Sequence, residues 1–333
     1  MFFDTAVAVN WILLLFLAIS ATSVALCENL LTNTIVMCVF SLTMATSHLV
    51  MSAPDVAITE AAVGAGLSTL ITFIVLSRLG CGVSAKLEGV WGSCGIIRLL
   101  LAISASLFMF SMLVYAALDL PEFGNQISPA NSQAAVYLKN TNSYVGIPNV
   151  VTAILASFRG YDTMCETLVV FTAAMCVSLL LDKGKVTMVE KKVHVLGENP
   201  ALRYAVTVMF PVIMLYGLYV QIHGDYSPGG GFQGGVIVAS ALILYSIVFG
   251  NAAVARVVPV SLLKIMAAVG LLLYFATGAA SMFLGKNFLS YFFAIFDSVS
   301  EQKLGIFVVE LGVGLVVCGS MVSIYFDFAS QEK

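Results

Sequence analysis

The chain has 333 residues, of which 60% are apolar and only 10% are charged. A soluble domain carries about 25% charged residues, so a water-soluble fold is excluded. The formal net charge of −3 is too small to indicate nucleic acid or an anionic substrate as a partner. Apolar runs long enough to cross the hydrocarbon core of a bilayer, which takes about 20 helical residues, recur along the whole sequence.

These runs predict an all-α integral membrane protein with nine transmembrane helices, arranged as five followed by four. The chain is thereby divided into a five-helix domain at 1–181, a basic cytoplasmic linker at 182–202 and a four-helix domain at 203–333. The predicted spans are 6–26, 31–51, 55–77, 98–118, 161–181, 203–222, 232–250, 260–283 and 304–326.

Lysine and arginine are unevenly distributed between the predicted loops. Of the 15 such residues, four would lie on one side of the membrane (Lys139, Arg159, Lys286 and Lys303) and the other eleven on the opposite side. Cytoplasmic loops are enriched in these residues. We therefore expect an external N-terminus and a cytoplasmic C-terminus. A bacterial inner membrane is the expected location. The N-terminal apolar run is preceded by Asp4 and by no basic residue, so it is interpreted as the first span and not as a cleaved signal peptide.

The seven cysteines are scattered, and the sequence has no C-x-x-C pair and no Cys/His cluster at metal-ligand spacing. We expect plain buried thiols, no cofactor and no tightly bound metal. No nucleophile/base set typical of an enzyme is visible either, so the chain is predicted not to be an enzyme.

Ionisable groups inside the third span are informative because each costs on the order of 3 kcal/mol at the bilayer centre. Asp55 follows Pro54 in the first helical turn, where a carboxylate can simply face the positive end of the helix dipole. Glu60 lies deeper, where no capping role is available, and it shares a face with Gly64 and Ser68. Glu60 is a candidate for the ion pathway, and a static buried hydrogen bond is the alternative.

The fifth span begins with Asp162 and Glu166, four residues apart on one helical face. Such a pair can hold a cation or share a proton. Arg159 precedes the pair and could neutralise one member, so a solvated helix start with a local ion pair is the alternative.

Two further candidates lie in other spans. His48 ends a weakly polar seam of the second span and comes shortly before Glu60 in the sequence, which makes a relay role and a structural role equally plausible. Glu310 lies one and a half turns inside the ninth span and repeats the Glu60 pattern. Six acids are expected in the outer half of the membrane, around a shallow cavity: Asp55, Glu60, Asp162, Glu166, Asp225 and Glu310.

The segment from His223 to Gly235 is rich in glycine and contains Pro228, so it cannot form a continuous helix. We predict a turn or a re-entrant loop, which either binds ions or packs a helix pair. Its conspicuous residues are Pro228, Gly229, Gly230, Gly231, Phe232, Gly234 and Gly235.

Three sequence motifs resemble the Mrp-type multisubunit sodium/proton antiporters, which are related to the membrane arms of complex I and of energy-converting hydrogenases. The stretch from Ala53 to Gly66 and the stretch from Asn149 to Thr163 are similar to the C-terminal domain of the A subunit. The stretch from Pro228 to Gly235 is similar to the B subunit. The resemblance implies a subunit that fuses these two parts.

The resemblance also implies a function and partners. The chain would contribute part of a route for Na⁺ and H⁺ through Asp55, Glu60, Asp162 and Glu166, together with other antiporter subunits and membrane lipid. A large antiporter-like module would be supplied by another chain, and the sequence has no mid-membrane lysine for an independent pump. The alternative is a structural subunit of a redox-driven, hydrogenase-like or complex I-like pump. A transporter of organic solutes is disfavoured because the two halves show no inverted repeat.

Overall fold

A computed structural model describes residues 2–79, 93–120, 129–181, 199–291 and 297–329 of the chain. Across these ranges, nine helices are long and apolar enough to cross a membrane, which confirms the predicted all-α membrane fold. The last of them is longer than expected and covers Ser298–Ala329. Most of the basic connection at 182–202 lies outside the described residues.

The first five spans and the connections between them comprise eight α-helices and three short π-helical segments. The third span is interrupted by the longest π-helical segment, and two others flank a short helix before the fifth span. The α-helices are α1 (Phe2–Leu26), α2 (Leu30–Val50), α3 (Pro54–Thr59), α4 (Thr69–Leu79), α5 (Ser93–Leu118), α6 (Pro129–Asn140), α7 (Val150–Ala153) and α8 (Gly160–Leu181), and the π-helical segments are Glu60–Ser68, Thr141–Val145 and Ile154–Phe158.

The last four spans are four long helices with one short helix between the second and third of them. They are α9 (Pro200–His223), α10 (Gly231–Phe249), α11 (Asn251–Val257), α12 (Val260–Phe283) and α13 (Ser298–Ala329). Pro200 occupies the first turn of α9, where its missing N–H is harmless. Pro211 lies inside the same helix.

Asparagine begins three of these helices. The side-chain oxygens of Asn29, Asn149 and Asn199 each accept hydrogen bonds from two backbone N–H groups of the first turn of α2, α7 and α9. Asparagine is among the preferred N-cap residues because it satisfies donors that have no partner within the helix. These caps define where the chain turns back into the bundle.

The centre of the bundle is α13, which packs against α8, α10 and α12. Glycines allow this close packing: a Cβ atom on Gly312 would lie 2.7 Å from the Gly270 carbonyl oxygen, and one on Gly235 would lie 2.7 Å from the Gly314 carbonyl oxygen. Small residues at helix contacts are typical of membrane proteins, where association depends on close backbone approach. The buried positions of α13 contribute to both apolar cores of the chain.

Helices far from α13 show large apolar surfaces. In α5, every side chain described between 99 and 118 is exposed, and α1 packs mainly against α2. In a membrane protein such surfaces face lipid or other subunits.

Candidate functional site

The glycine-rich segment between α9 and α10 forms a turn from Gly224 to Gly230. Gly229 has a φ angle of +139° and Gly230 one of +142°, a conformation that other residues rarely adopt. This confirms that the segment is not continuous helix.

Residues 232–235, which the sequence assigned both to this segment and to the predicted span 232–250, are helical, because α10 begins at Gly231. A Cβ atom on Gly231 would overlap the carbonyl oxygen of Glu310, and one on Gly234 would lie 2.9 Å from Cβ of Gln221. These glycines are needed for packing against α9 and α13, and the contacts that they permit outweigh their low helix propensity.

The start of α3 contacts this turn directly. The Gly229 N–H donates to Asp55 Oδ1 over 2.9 Å, and Gln233 Nε2 donates to Thr59 Oγ1 over 3.0 Å. Ala53, the residue before α3, makes no side-chain cap, and the Asp55 carboxylate is buried. Asp55 therefore joins two distant parts of the chain, in addition to lying at the positive end of its helix dipole.

A third segment holds the turn from the other side. Asn149 Nδ2 donates to the carbonyl oxygens of Gly224 and Ser227, at 2.9 and 3.0 Å, and Thr152 Oγ1 donates to the Gly224 carbonyl oxygen at 2.8 Å. The backbone N–H of Asn149 also donates to the Asp225 carbonyl oxygen. The turn is thus fixed by both α3 and the start of α7.

Glu310 of α13 lies beneath the turn. Cβ atoms built on Gly230 and Gly224 would lie 3.0 and 3.1 Å from its carboxylate oxygens, and Gln221 Nε2 donates to its carbonyl oxygen over 3.0 Å. Its partly buried carboxylate is within electrostatic range of Asp225 and Asp55. We call Asp55, Asp225 and Glu310 the acidic cluster.

Asp225 lies in the turn itself. Partial burial raises the pKa of its carboxyl, and the nearby Lys303 ammonium acts in the opposite direction. Its Oδ1 is buried and accepts no hydrogen bond from the described part of the chain. Asp225 is therefore poised to bind a proton more readily than a solvated aspartate.

The acidic cluster is not a metal cage. Within the described ranges, no three His, Cys, Asp or Glu side chains are close enough to hold a metal ion together. The three carboxylates interact through the field of the bundle interior, where charges are weakly screened.

Glu60 lies at the start of the π-helical segment of the third span and is partly buried. A Cβ atom on Gly64 would lie 2.6 Å from Glu60 Oε1 and 2.8 Å from Ser41 Oγ, so the carboxylate occupies the space beside this glycine. Cys38 Sγ donates to the Ala65 carbonyl oxygen over 3.4 Å. Isolated π-helical segments often occur at functional sites, and apolar periodicity gives no signal for them.

The remaining candidates are His48, Asp162 and Glu166. The partly buried side chain of His48 is at the end of α2, next to the start of α3. Asp162 and Glu166 are exposed on α8, and Arg159 pairs with Asp162 over 2.5 Å. The local ion pair that the sequence analysis gave as the alternative is therefore present, on an exposed face of the described chain.

Sequence reasoning missed two buried tyrosines that hold the start of α8. The Tyr274 hydroxyl donates to the Gly160 carbonyl oxygen over 2.7 Å, and the Tyr291 hydroxyl donates to that of Ala156. Burial raises the pKa of Tyr291 above its usual value, which keeps the hydroxyl protonated as a donor. A tyrosine in an apolar run resembles any other core residue, so only its contacts identify this role.

Three family models match successive parts of the chain. Residues 15–80 match MbhD, the D subunit of MBH, and residues 97–189 match MbhE, the E subunit of MBH. Residues 201–323 match a domain related to the MnhB subunit of Na⁺/H⁺ antiporter.

Three relatives are similar to large parts of the chain. The uncharacterized protein MJ1307 of Methanocaldococcus jannaschii is 31% identical in an alignment of 257 residues that covers 70% of this chain and 92% of that protein. The putative antiporter subunit mnhB2 of Staphylococcus epidermidis is 35% identical over 41% of this chain and 99% of its own length. The B subunit of the Na⁺/H⁺ antiporter of Bacillus subtilis is 32% identical over 36% of this chain and 86% of its own length.

Two solved structures share the fold. A chain of the Mrp complex from Dietzia sp. DQ12-45-1b superposes with a TM-score of 0.72 at 23% identity, covering 97% of this chain and 35% of that one. This chain thus spans about a third of the Mrp chain. A chain of the membrane-bound sulfane sulfur reductase, an archaeal respiratory membrane complex, superposes with a TM-score of 0.51 at 24% identity, covering 68% of this chain and 97% of that one.

Proposed function

The chain belongs to the Mrp-type Na⁺/H⁺ antiporter family, and from this membership we propose that its acidic cluster forms part of the ion pathway of a multisubunit antiporter. It is a multi-pass membrane protein in which segments related to MbhD and MbhE precede a segment related to MnhB.

The convergence of Asp55, Asp225 and Glu310 on one glycine turn carries this proposal. Asp55 and Glu310 are 255 positions apart, yet Asp55 bonds to Gly229 and Glu310 lies beside Gly230. A carboxylate removed from water resists ionisation unless a cation replaces its lost hydration. The cluster places three such carboxylates around one turn, so it supports the exchange of protons for cations.

Glu60 would extend the pathway deeper into the membrane, beside Ser41 and Gly64. Asp162 and Glu166 face outward from α8, where another subunit could complete a second group of ligands. The proposed partners are other antiporter subunits, including a large antiporter-like one, with membrane lipid around them. Na⁺ and H⁺ are the proposed transported ions.

The test is Glu310→Gln in the whole complex, reconstituted in vesicles and assayed by Na⁺-dependent dissipation of a pH gradient. The amide keeps the size of the side chain and removes its exchangeable charge. We expect a complex that assembles normally and loses most of its exchange. The matched control is Glu28→Gln, an exposed acid between α1 and α2, which should exchange at the wild-type rate.

A structural role in a redox-driven complex is the second candidate. The matches to MbhD and MbhE and the fold shared with a respiratory complex favour it. If the acids only pack, Glu310→Gln should exchange normally and be at least as stable as the wild type, because a neutral group is cheaper to bury. Neither candidate gives the chain a catalytic role.

The proposed orientation places the N-terminus outside and the C-terminus in the cytoplasm, because eleven of the 15 basic residues would then lie inside. In a background without native cysteines, Lys286→Cys should react with a membrane-impermeant maleimide added to intact cells. Glu28→Cys should not react. The reverse pattern would reject this orientation.

A further inference from the structure

A serine of α2 and a glutamate of the third span face each other beside Gly64. A Cβ atom built on this glycine would lie 2.6 Å from Glu60 Oε1 and 2.8 Å from Ser41 Oγ, so the two oxygens are separated by no more than the sum of these distances. Glu60 begins the π-helical segment Glu60–Ser68, and Ser41 is a buried residue of α2, which packs against that segment. Two oxygens from different helices therefore meet at one glycine.

The protein itself does not pair these two oxygens. Thr43 of the same helix shows the arrangement common for a hydroxyl in a helix, because its Oγ1 donates to the Val39 carbonyl oxygen over 2.8 Å. Within the described ranges, neither the Ser41 hydroxyl nor the Glu60 carboxylate makes a hydrogen bond or an ion pair. A polar group away from water is costly without a partner, above all when it is charged. A ligand bound by both oxygens would remove this cost.

The polar groups around the two oxygens already have partners. Cys38 Sγ donates to the Ala65 carbonyl oxygen over 3.4 Å, and Thr69 Oγ1 donates to the Gly64 carbonyl oxygen over 3.3 Å. These bonds satisfy two carbonyl groups of the π-helical segment. Glu60 and Ser41 are thus the side chains that remain to bind a ligand beside Gly64.

The ligand that fits these groups is a small monovalent cation. A carboxylate and a hydroxyl are hard oxygen donors. Ca²⁺, which has nearly the radius of Na⁺, holds such oxygens at about 2.3–2.6 Å, so two donors on opposite sides of an ion of this size are about 5 Å apart. The single negative charge of Glu60 neutralises one Na⁺. A divalent ion would need more acids, and no three His, Cys, Asp or Glu side chains of the described ranges are close enough to hold one.

We propose that Ser41 is a ligand of the transported cation, and that its hydroxyl and the Glu60 carboxylate hold one exchangeable Na⁺ beside Gly64. This inference rests on the proposed antiporter function and adds a site outside the acidic cluster. Gly64 lets both oxygens approach the same part of the backbone, and water completes the coordination shell. A proton neutralises the same carboxylate, so Na⁺ and H⁺ compete for the site.

The cation is tested by protection of Glu60 against dicyclohexylcarbodiimide in the purified whole complex. This reagent adds to a protonated carboxyl group, and the product rearranges to a stable N-acylurea that mass spectrometry locates. A bound Na⁺ keeps the carboxyl deprotonated, so NaCl should slow the labelling of Glu60, whereas choline chloride at the same ionic strength should not. Equal labelling in the two salts would overturn the site. So would a Glu60 that stays unlabelled in choline chloride, because the exchanging carboxyl must take up a proton there.

The role of Ser41 is tested by the Na⁺ concentration that gives half of the full protection of Glu60. Ser41→Ala removes a ligand, so this concentration should rise several-fold. The matched control is Thr43→Val, which removes from the same helix a hydroxyl that is already bonded to Val39, and it should leave the concentration unchanged. The same concentration in Ser41→Ala as in the wild type would show that Ser41 is not a ligand.

Transport in vesicles separates a ligand from a residue that only packs. Ser41→Ala should raise the Na⁺ concentration for half-maximal exchange by a similar factor and keep most of the maximal rate at saturating Na⁺. A packing defect would instead lower the maximal rate in proportion to the amount of assembled complex and leave the half-maximal concentration unchanged. That second pattern would overturn the assignment of Ser41.

Failure of this inference can be distinguished from failure of the acidic-cluster proposal, because labelling is measured at Glu60 itself and does not require transport. If Glu310→Gln abolishes exchange while Na⁺ does not protect Glu60, the acidic cluster stands and the site at Gly64 falls. If Na⁺ protects Glu60 while Glu310→Gln exchanges normally, the site at Gly64 stands and the acidic cluster falls.

Discussion

Substituting Asp55 by asparagine and by alanine separates its two roles, as a hydrogen-bond acceptor and as a charge. Its Oδ1 accepts from the Gly229 N–H over 2.9 Å, and both residues are buried. Asparagine keeps an oxygen at this position, so Asp55→Asn replaces a charge-assisted bond with a neutral one of roughly half the strength. Alanine leaves the Gly229 N–H without a partner.

The free energies of unfolding should differ accordingly. Leaving a buried donor unsatisfied costs about 1–3 kcal/mol, whereas weakening the bond costs about 1 kcal/mol or less. We therefore expect Asp55→Ala to lower the thermal stability of the purified complex clearly and Asp55→Asn to lower it little. Thermal unfolding in detergent measures this difference.

The transport assay gives the decisive comparison. If the charge of Asp55 serves the ion pathway, Asp55→Asn should assemble and lose most of its Na⁺-dependent exchange in vesicles. If Asp55 only joins α3 to the turn, the asparagine variant should exchange normally and only the alanine variant should fail. Normal exchange in an assembled Asp55→Asn complex would refute the assignment of its charge to the pathway.

Substitutions at three further positions test neighbouring parts of the site. Glu60→Gln should assemble but lose most of its exchange, whereas Glu60→Asp should keep part of it; near-normal exchange in the amide variant would remove Glu60 from the pathway. Gly231→Ala should push α10 away from α13, because the added carbon overlaps the Glu310 carbonyl oxygen, a backbone atom that cannot rotate away. Thermal unfolding should show a loss of about 1–3 kcal/mol of stability. Burial raises the pKa of Asp225 in the folded state. The contribution of Asp225 to folding stability should therefore decrease as the pH rises from the ordinary aspartate pKa through the raised value. Asp225→Asn should remove this part of the pH dependence of the melting temperature, and an unchanged profile would contradict it.

The sequence predicted the candidate acids because charges in membrane spans are rare and costly. Asp55, Glu60 and Glu310 could each be selected by their position inside a helix. Which of them belong together could not be predicted, since Asp55 and Glu310 meet only through α10 and the glycine turn. Asp162 and Glu166 fit the same sequence rule, but the structure places them on an exposed face of α8.

The sequence by itself determined that the protein lies in a membrane, how many helical spans it has, and that the helix breaks at Pro228. These features depend on the lengths of the apolar segments and on backbone propensity. Only the tertiary structure decided that Asp55, Asp225 and Glu310 meet at one turn. This arrangement depends on which helices approach closely enough for their backbones to meet at glycines, and residue order alone does not specify such contacts.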